Sequence, residues 1–218
     1  MPLIAPSFLA ADFTNLQKDV LLMNTCADLF HMDIMDGVFV PNISYGFPVL
    51  NAIASLAERP LDVHLMISEP ARYIERFAAV KGVEMISFHP DAAKDVLSTL
   101  ELIRKCGVRA GLAINPDIPL ESIYPYIDKC DFVVLMSVFA GFGGQKFIPQ
   151  TYEKISRLKS YMLQRGVNTP IEVDGGVSLE NIHELHKAGA EIFVAGSAIF
   201  KSESPVNYIS KLRQACID

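Results

Sequence analysis

The chain has 218 residues, half of them apolar, and 19 basic against 25 acidic side chains give it a formal charge of −6. That length suffices to bury a large core as one α/β domain over 1–218. The acidic balance (pI ≈ 5.4) argues against nucleic acid or an anionic membrane as partner, so any anionic ligand must be held by local groups instead of the overall field.

In chain order, the apolar start has no basic leader and is interrupted by Pro6 and Asp12, so it reads as a first strand over 3–7 and not as a signal peptide. A helix over 13–25 follows, with Asp12 as its cap. The next strand, 29–35, contains His31-Met32-Asp33-Ile34-Met35. Strand faces alternate, so His31, Asp33 and Met35 share one side. After a helix over 48–58, strand 61–66 repeats the theme with Asp62, His64 and Met66 on one side. Helix 71–80, strand 85–89, helix 93–106 (Asp91 just upstream), strand 110–115 and helix 120–127 come next. The longest apolar stretch, 132–144, is too short to span a bilayer and ends in glycines; its first part reads as a sixth strand, 132–138. Helix 150–164, strand 171–174 ending on Asp174, helix 179–187 after Ser178, strand 192–196 and helix 206–215 complete the chain. Gly82, Gly107, Gly166 and Gly189 fall just after helix ends, where a left-handed residue is needed.

Eight strands, each followed by a helix, favour a single (β/α)₈ TIM barrel over an open doubly wound sheet. In such a barrel functional groups gather at the C-terminal strand ends, and His31, Asp33, His64 and Asp174 are in or at the ends of three of these strands. Burying such polar groups is costly unless something binds them, and two His with two Asp from three strands suit one divalent metal. The four cysteines, Cys26, Cys106, Cys130 and Cys216, have no Cys-x-x-Cys spacing. They read as reduced packing thiols of a cytoplasmic protein.

Glycines form a second constellation. Gly141-Phe142-Gly143-Gly144-Gln145 follows the sixth strand, Gly175-Gly176 the seventh and Gly196-Ser197 the eighth. Any one of them can be a simple turn glycine. Three in successive loops favour a phosphate cradle of backbone N–H groups needing no Lys or Arg. A metal, two carboxylates and a phosphate grip suit proton abstraction beside a carbonyl. The metal polarises the C–H between carbonyl and hydroxyl and stabilises an ene-diolate. One Asp takes the proton, and a second on the opposite face returns it and inverts the centre. Methionines suit the walls around a planar intermediate.

These motifs resemble the ribulose-phosphate 3-epimerase family along nearly the whole chain. The match rests on Pro6-Ser7-Phe8-Leu9-Ala10-Ala11-Asp12, His31-Met32-Asp33-Ile34-Met35-Asp36-Gly37, Phe39-Val40-Pro41-Asn42, Leu61-Asp62-Val63-His64-Leu65-Met66, Gly141-Phe142-Gly143-Gly144-Gln145, Glu172-Val173-Asp174-Gly175-Gly176 and Ala195-Gly196-Ser197-Ala198-Ile199-Phe200. The resemblance implies that His31, Asp33, His64 and Asp174 bind one divalent ion, with Asp33 and Asp174 as the acid/base pair. It also implies that Ser7 touches the substrate beside His64, that Met35, Met66 and Met136 line the sugar site, and that the loop with Gly141 and Phe142 covers it. The phosphate would rest on Gly143, Gly144, Gly175, Gly176, Gly196 and Ser197. Zn²⁺ is the default ion, and Fe²⁺, Co²⁺ or Mn²⁺ also suit nitrogen and oxygen ligands. The family implies a homo-oligomer, dimer or hexamer, acting on a small sugar phosphate.

Two departures stand out. Phe139-Ala140 replaces the family's usual Asn-Pro, and Phe88-His89-Pro90-Asp91-Ala92 resembles the related allulose-6-phosphate 3-epimerases. D-ribulose 5-phosphate/D-xylulose 5-phosphate is therefore the first expectation for substrate, and D-allulose 6-phosphate the second. A phosphate-binding barrel lyase or decarboxylase would be favoured by an Asp-x-Lys strand motif, but the Asp33 strand contains no Lys. A non-catalytic sugar-phosphate sensor would not need two opposed carboxylates. Asp36 reads as a turn residue, His89 as support for the site, and His183 and His186 as surface residues on one helical face.

Overall fold

The computed structural model describes residues 2–217. Strands β1 (Leu3–Pro6), β2 (Phe30–Met35), β3 (Leu61–Met66), β4 (Val83–Phe88), β5 (Arg109–Ile114), β6 (Phe132–Met136), β7 (Ile171–Asp174) and β8 (Ile192–Ala195) form one sheet in the order β1-β8-β7-β6-β5-β4-β3-β2. Every pairing is parallel. A parallel bridge between Ser7 and His31 joins the two outer strands and closes the barrel just where the candidate site begins. The (β/α)₈ expectation is thus met.

Helices α1 (Leu16–Asn24), α2 (Phe47–Leu56), α3 (Ile74–Ala78), α4 (Val96–Lys105), α5 (Gln150–Gln164), α6 (Ile182–Ala188), α7 (Ser197–Phe200) and α8 (Pro205–Ala215) surround the sheet. Two expected helices are cut down, both at prolines. The 71–80 segment opens as a 3-10 turn, Pro70–Arg72, before α3. The 120–127 segment is two 3-10 turns, Leu120–Ser122 and Tyr124–Tyr126, with Pro125 inside the second; a proline there removes an N–H and crowds the preceding turn. The expected caps also move. Asp12 accepts from Thr14 N–H at 3.0 Å, forming a turn ahead of α1. Asp95, not Asp91, caps α4 by accepting from Ser98 N–H at 3.0 Å. Ser178 accepts from Glu180 N–H at 3.3 Å, in the turn before α6, which starts later than expected. Gly82, Gly107, Gly166 and Gly189 all have positive φ, as the helix-end reading requires.

The apolar core lies in two layers. Outward-facing strand residues such as Met32, Ile34, Val63, Leu65, Val133, Leu135, Val173 and Phe193 pack against the helices. Inside the barrel, Ala5, Met85, Ala113, Phe132, Val134, Ile192 and Val194 make a smaller apolar plug. Phe132 sits in it with no exposed surface, and its ring occupies the space that a Cβ on Gly111 would need. The plug keeps water from the polar groups above it. Replacing Gly111 by Ala overpacks the barrel and is expected to cost about 1–3 kcal/mol, measurable by urea unfolding; unchanged stability would show that the ring has room to move.

Candidate active site and metal centre

Register places the site. On β2 and β3, His31 lies opposite Asp62 and Asp33 opposite His64, while Met136 of β6 lies opposite Asp174 of β7. All of these point inward and all are buried. One ligand atom from each of His31, Asp33, His64 and Asp174 lies within 4.8 Å of the others. His31 Nε2 is 3.4 Å from Asp33 Oδ1 and 3.7 Å from Asp174 Oδ2. His64 Nδ1 is 3.7 Å and 3.5 Å from the same two oxygens.

Each of these groups is held from behind. His31 Nδ1 meets Asp62 Oδ2 at 2.6 Å and lies 3.2 Å from Glu172 Oε1, which fixes the ring and leaves Nε2 facing the cluster. His64 Nε2 shares a hydrogen bond with His89 Nε2 at 3.0 Å, so Nδ1 faces the cluster. His89 therefore supports His64 and is not a fifth ligand. Ser7 Oγ donates to Asp33 Oδ2 at 2.6 Å, and Ser44 Oγ donates to the Asp33 carbonyl at 2.6 Å. Ser137 Oγ donates to the carbonyls of Asp174 and Gly175, fixing the end of β7. Asp36 accepts from Val38, Phe39 and Ser68 N–H groups, the turn role expected of it.

The local electrostatics follow from burial and neighbours. Burial opposes charge on His64, but Asp174 and Asp33 outweigh it and carry its pKa up to about 9. Burial opposes charge on His31 too, yet Asp33 and Asp62 raise it well above the ordinary imidazole value. Burial would raise Asp33, but His31 and His64 hold it far below the usual carboxylate range. Burial, reinforced by the charge on His64, pushes His89 well below the ordinary imidazole value. Burial and the adjacent Asp62 push Glu172 up to about 8.

His31 Nε2 and His64 Nδ1 are buried without a hydrogen-bond partner and face the same two carboxylate oxygens. Burying an unpaired polar atom costs about 1–3 kcal/mol, and a divalent cation among these two nitrogens and two oxygens removes that cost. The residues present fit the metal.

Above the cluster opens a pocket at the C-terminal strand ends. Ser7, Asp33, Met35, Met66, Met136, Gly141, Phe142, Gly143, Gly144, Asp174, Gly175, Gly176, Gly196 and Ser197 all line it. His31 and His64 lie beneath it, fully buried. Gly175 and Gly176 both have positive φ, and a Cβ on Gly176 would come within 2.9 Å of Phe147 N. Only glycine lets this turn fold so closely. Sequence reasoning missed the apolar wall of Leu9, Val138, Phe139 and Val177, and it missed Glu172 beneath the site. Glu172 had a legible signal, since it stands two residues before Asp174 on one strand and so shares its face. His183 is exposed and joins no metal-capable group among the described residues.

The (β/α)₈ barrel thus carries a buried His₂Asp₂ cluster under a glycine-walled pocket at its C-terminal strand ends. The model of the ribulose-phosphate 3 epimerase family matches residues 3–200. The ribulose-phosphate 3-epimerase of Escherichia coli (strain K12) is 44% identical over 213 residues, covering 97% of this chain and 94% of its own. That of Bacillus subtilis (strain 168) is 42% identical over 212 residues, covering 96% and 97%. The chain belongs to the ribulose-phosphate 3-epimerase family and is an epimerase. Its fold also matches the crystal structure of KGPDC from Streptococcus mutans, with TM-score 0.73, 12% identity and coverage of 100% of this chain and 98% of that one. A mutant tryptophan synthase alpha-subunit from Pyrococcus furiosus gives TM-score 0.70 at 19% identity, covering 99% and 97%. At those identities the likeness shows the barrel alone.

Metal uptake should release protons. His64, at about 9 in the metal-free site, is protonated at neutral pH but must be neutral to donate a lone pair. Affinity for Zn²⁺ or Mn²⁺ should therefore rise with pH until pH passes that value. Isothermal titration calorimetry in buffers of different ionisation enthalpy reads the release directly; a buffer-independent heat would contradict a protonated His64.

Proposed function

We propose that the chain interconverts D-ribulose 5-phosphate and D-xylulose 5-phosphate by passing the C3 proton between Asp33 and Asp174. The observation that carries this is the pair of buried carboxylates, one from β2 and one from β7, reaching the pocket floor from two sides. His31, Asp33, His64 and Asp174 would hold one divalent ion, by default Zn²⁺, with Fe²⁺, Co²⁺ or Mn²⁺ also suited. When bound, that ion supplies Lewis acidity toward the substrate's carbonyl and adjacent hydroxyl oxygens.

The residues of the chain divide the remaining work. One Asp takes the C3 proton as the C–H electron pair forms a C2=C3 bond and the carbonyl π pair moves onto its oxygen, giving a planar ene-diolate. The other Asp gives a proton to the opposite face, and the configuration at C3 inverts. Ser7, hydrogen-bonded to Asp33 Oδ2, keeps that carboxylate turned toward the pocket. Met35, Met66 and Met136, all nearly fully buried, make dry walls that accept a flat intermediate without donating protons to it. The phosphate would rest on backbone N–H groups of Gly143, Gly144, Gly175, Gly176, Gly196 and Ser197, all of which line the pocket.

The pentulose phosphate is favoured over the hexulose by one observation. Pro90 and Asp91, which resemble the allulose-6-phosphate enzymes, do not line the pocket; His89 is buried behind His64. Among the described residues no helix is long and apolar enough to cross a membrane; the proposed enzyme is cytoplasmic, with one catalytic barrel domain over 1–218. Val38 and Ile43, 76% and 73% exposed on the β2–α2 loop, support a homo-oligomer.

Incubation with ribulose 5-phosphate in D₂O should place deuterium at C3, followed by NMR, and much more slowly with allulose 6-phosphate; no exchange by metal-replete protein ends the proposal. Asp174→Asn should lower turnover at least about 10³-fold with the fold intact by circular dichroism. A fully active variant would remove Asp174 from the proton transfer.

A further inference from the structure

Strand β5 sends no residue into the pocket lining. Its C-terminal neighbour, Asn115, instead accepts a hydrogen bond at Oδ1 from the Ala140 N–H, 3.0 Å away on the β6–α5 loop. That loop carries Gly143 and Gly144, and Ala140 packs on Met35, Val40 and Met66 in the sugar-site wall. It has little regular structure of its own. Besides Asn115, it is held by Asn42 Nδ2 donating to the Gly141 carbonyl at 2.7 Å and by Gln145 Nε2 donating to the carbonyls of Phe139 and Phe142 at 2.6 and 2.8 Å.

Asn115 is itself fixed from behind. The chain after β5 turns at Pro116 and Pro119 instead of continuing as a helix, and only the Asn115 carbonyl among the three that follow gains a local partner, the Ile118 N–H at 3.2 Å. These three carbonyls turn toward one point and accept from the Lys154 ammonium of α5: Asn115 O at 2.9 Å, Pro116 O at 3.0 Å and Ile118 O at 2.6 Å. An ammonium has three N–H donors, and here all three are used. Among the described residues Lys154 forms no ion pair; Asp117 and Glu121 act on its charge from farther away, and its three donors go to backbone oxygens.

We propose that Asn115 and Lys154 are positioning residues, which act together as a clamp holding the β6–α5 loop in the shape that grips the substrate phosphate. Lys154 sets the β5 end, Asn115 passes that position to Ala140, and the loop delivers Gly143 and Gly144 to the pocket. Neither residue touches substrate. The inference rests on the phosphate reading given above for those glycines.

Lys146, exposed on the same loop, allows a direct test. Limited trypsin digestion, with the Lys146–Phe147 cut followed by mass spectrometry, should run about five- to tenfold faster in Asn115→Ala and Lys154→Met than in the parent. Asn115→Asp keeps the acceptor and should stay as resistant as the parent. Ala140→Pro removes the same bond from the donor side, so Ala140→Pro with Asn115→Ala should be no faster than the faster single variant. In assays with ribulose 5-phosphate the first two variants should raise KM about five- to tenfold with kcat within about twofold, and bind as much metal as the parent. Cleavage rates equal to the parent's overturn the clamp, as does a loss confined to kcat. Inorganic phosphate should slow the cut in the parent; if it does not while the variants are cut faster, the phosphate reading fails and with it the role assigned to the clamp. Lys154→Met is read only if its circular dichroism matches the parent's, and Asn115→Ala carries the test alone otherwise.

Discussion

The catalytic end depends on the orientation of one imidazole. His31 Nδ1 is tied to Asp62 at 2.6 Å in the barrel floor, which commits Nε2 to face Asp33 and Asp174. Without Asp62 the ring could turn, and Asp33 would lose one of the two imidazoles that keep its carboxylate ionised. A buried carboxylate is tolerable only when paired, and each member of this cluster supplies the pairing another needs. Glu172, whose pKa burial and Asp62 push upward, completes the floor as a carboxyl that resists ionisation. A second full negative charge beside Asp62 would pull the His31 ring downward and compete with the cluster for it.

The barrel makes this arrangement affordable by separating its interior into levels. The lower level is apolar, with Phe132 filling the space left by Gly111. The polar groups occupy the levels above, reached from below only by other side chains and from above through the pocket. Water is thus kept from the floor, where it would weaken each electrostatic interaction, yet the two acids keep an open side toward a ligand. Asp174, 9% exposed, and Asp33, 4% exposed, sit at that boundary.

The sequence made part of this legible for a specific reason. Alternation in 31–35 and 61–66 turns residue spacing directly into a shared face, so the His and Asp ligands could be grouped before any contact was known. The glycine loops were legible because each follows a strand in a barrel. Elements fixed by proline were less so: apolar spacing over 120–127 suggests a helix, but Pro125 limits it to 3-10 turns. Caps slipped by a few residues because Asp91 and Asp95 compete for the same role and only the backbone path decides between them. The clamp was invisible, since Lys154 contacts backbone carbonyls distant in sequence, and a lysine on an amphipathic helix ordinarily marks solvent. His89 could be assigned a supporting role, but its partner could not be named until β3 and β4 were seen side by side.

One electrostatic choice runs through the pocket. Among the residues lining it there is no Lys or Arg, although the ligand proposed for it is a phosphate dianion in a protein of net charge −6. A mobile ammonium near Asp33 or Asp174 would pair with them, lower their basicity and compete with a cation for the same oxygens. Backbone N–H groups avoid this. They are fixed partial charges with short reach, which together could hold the proposed phosphate and singly are too weak to disturb nearby carboxylates. The one cation placed to shape the phosphate loop, Lys154, is kept outside the pocket with its donors spent on carbonyls. In the proposed clamp its influence arrives as position instead of charge, which would hold the loop firmly without adding a cation beside Asp33 and Asp174.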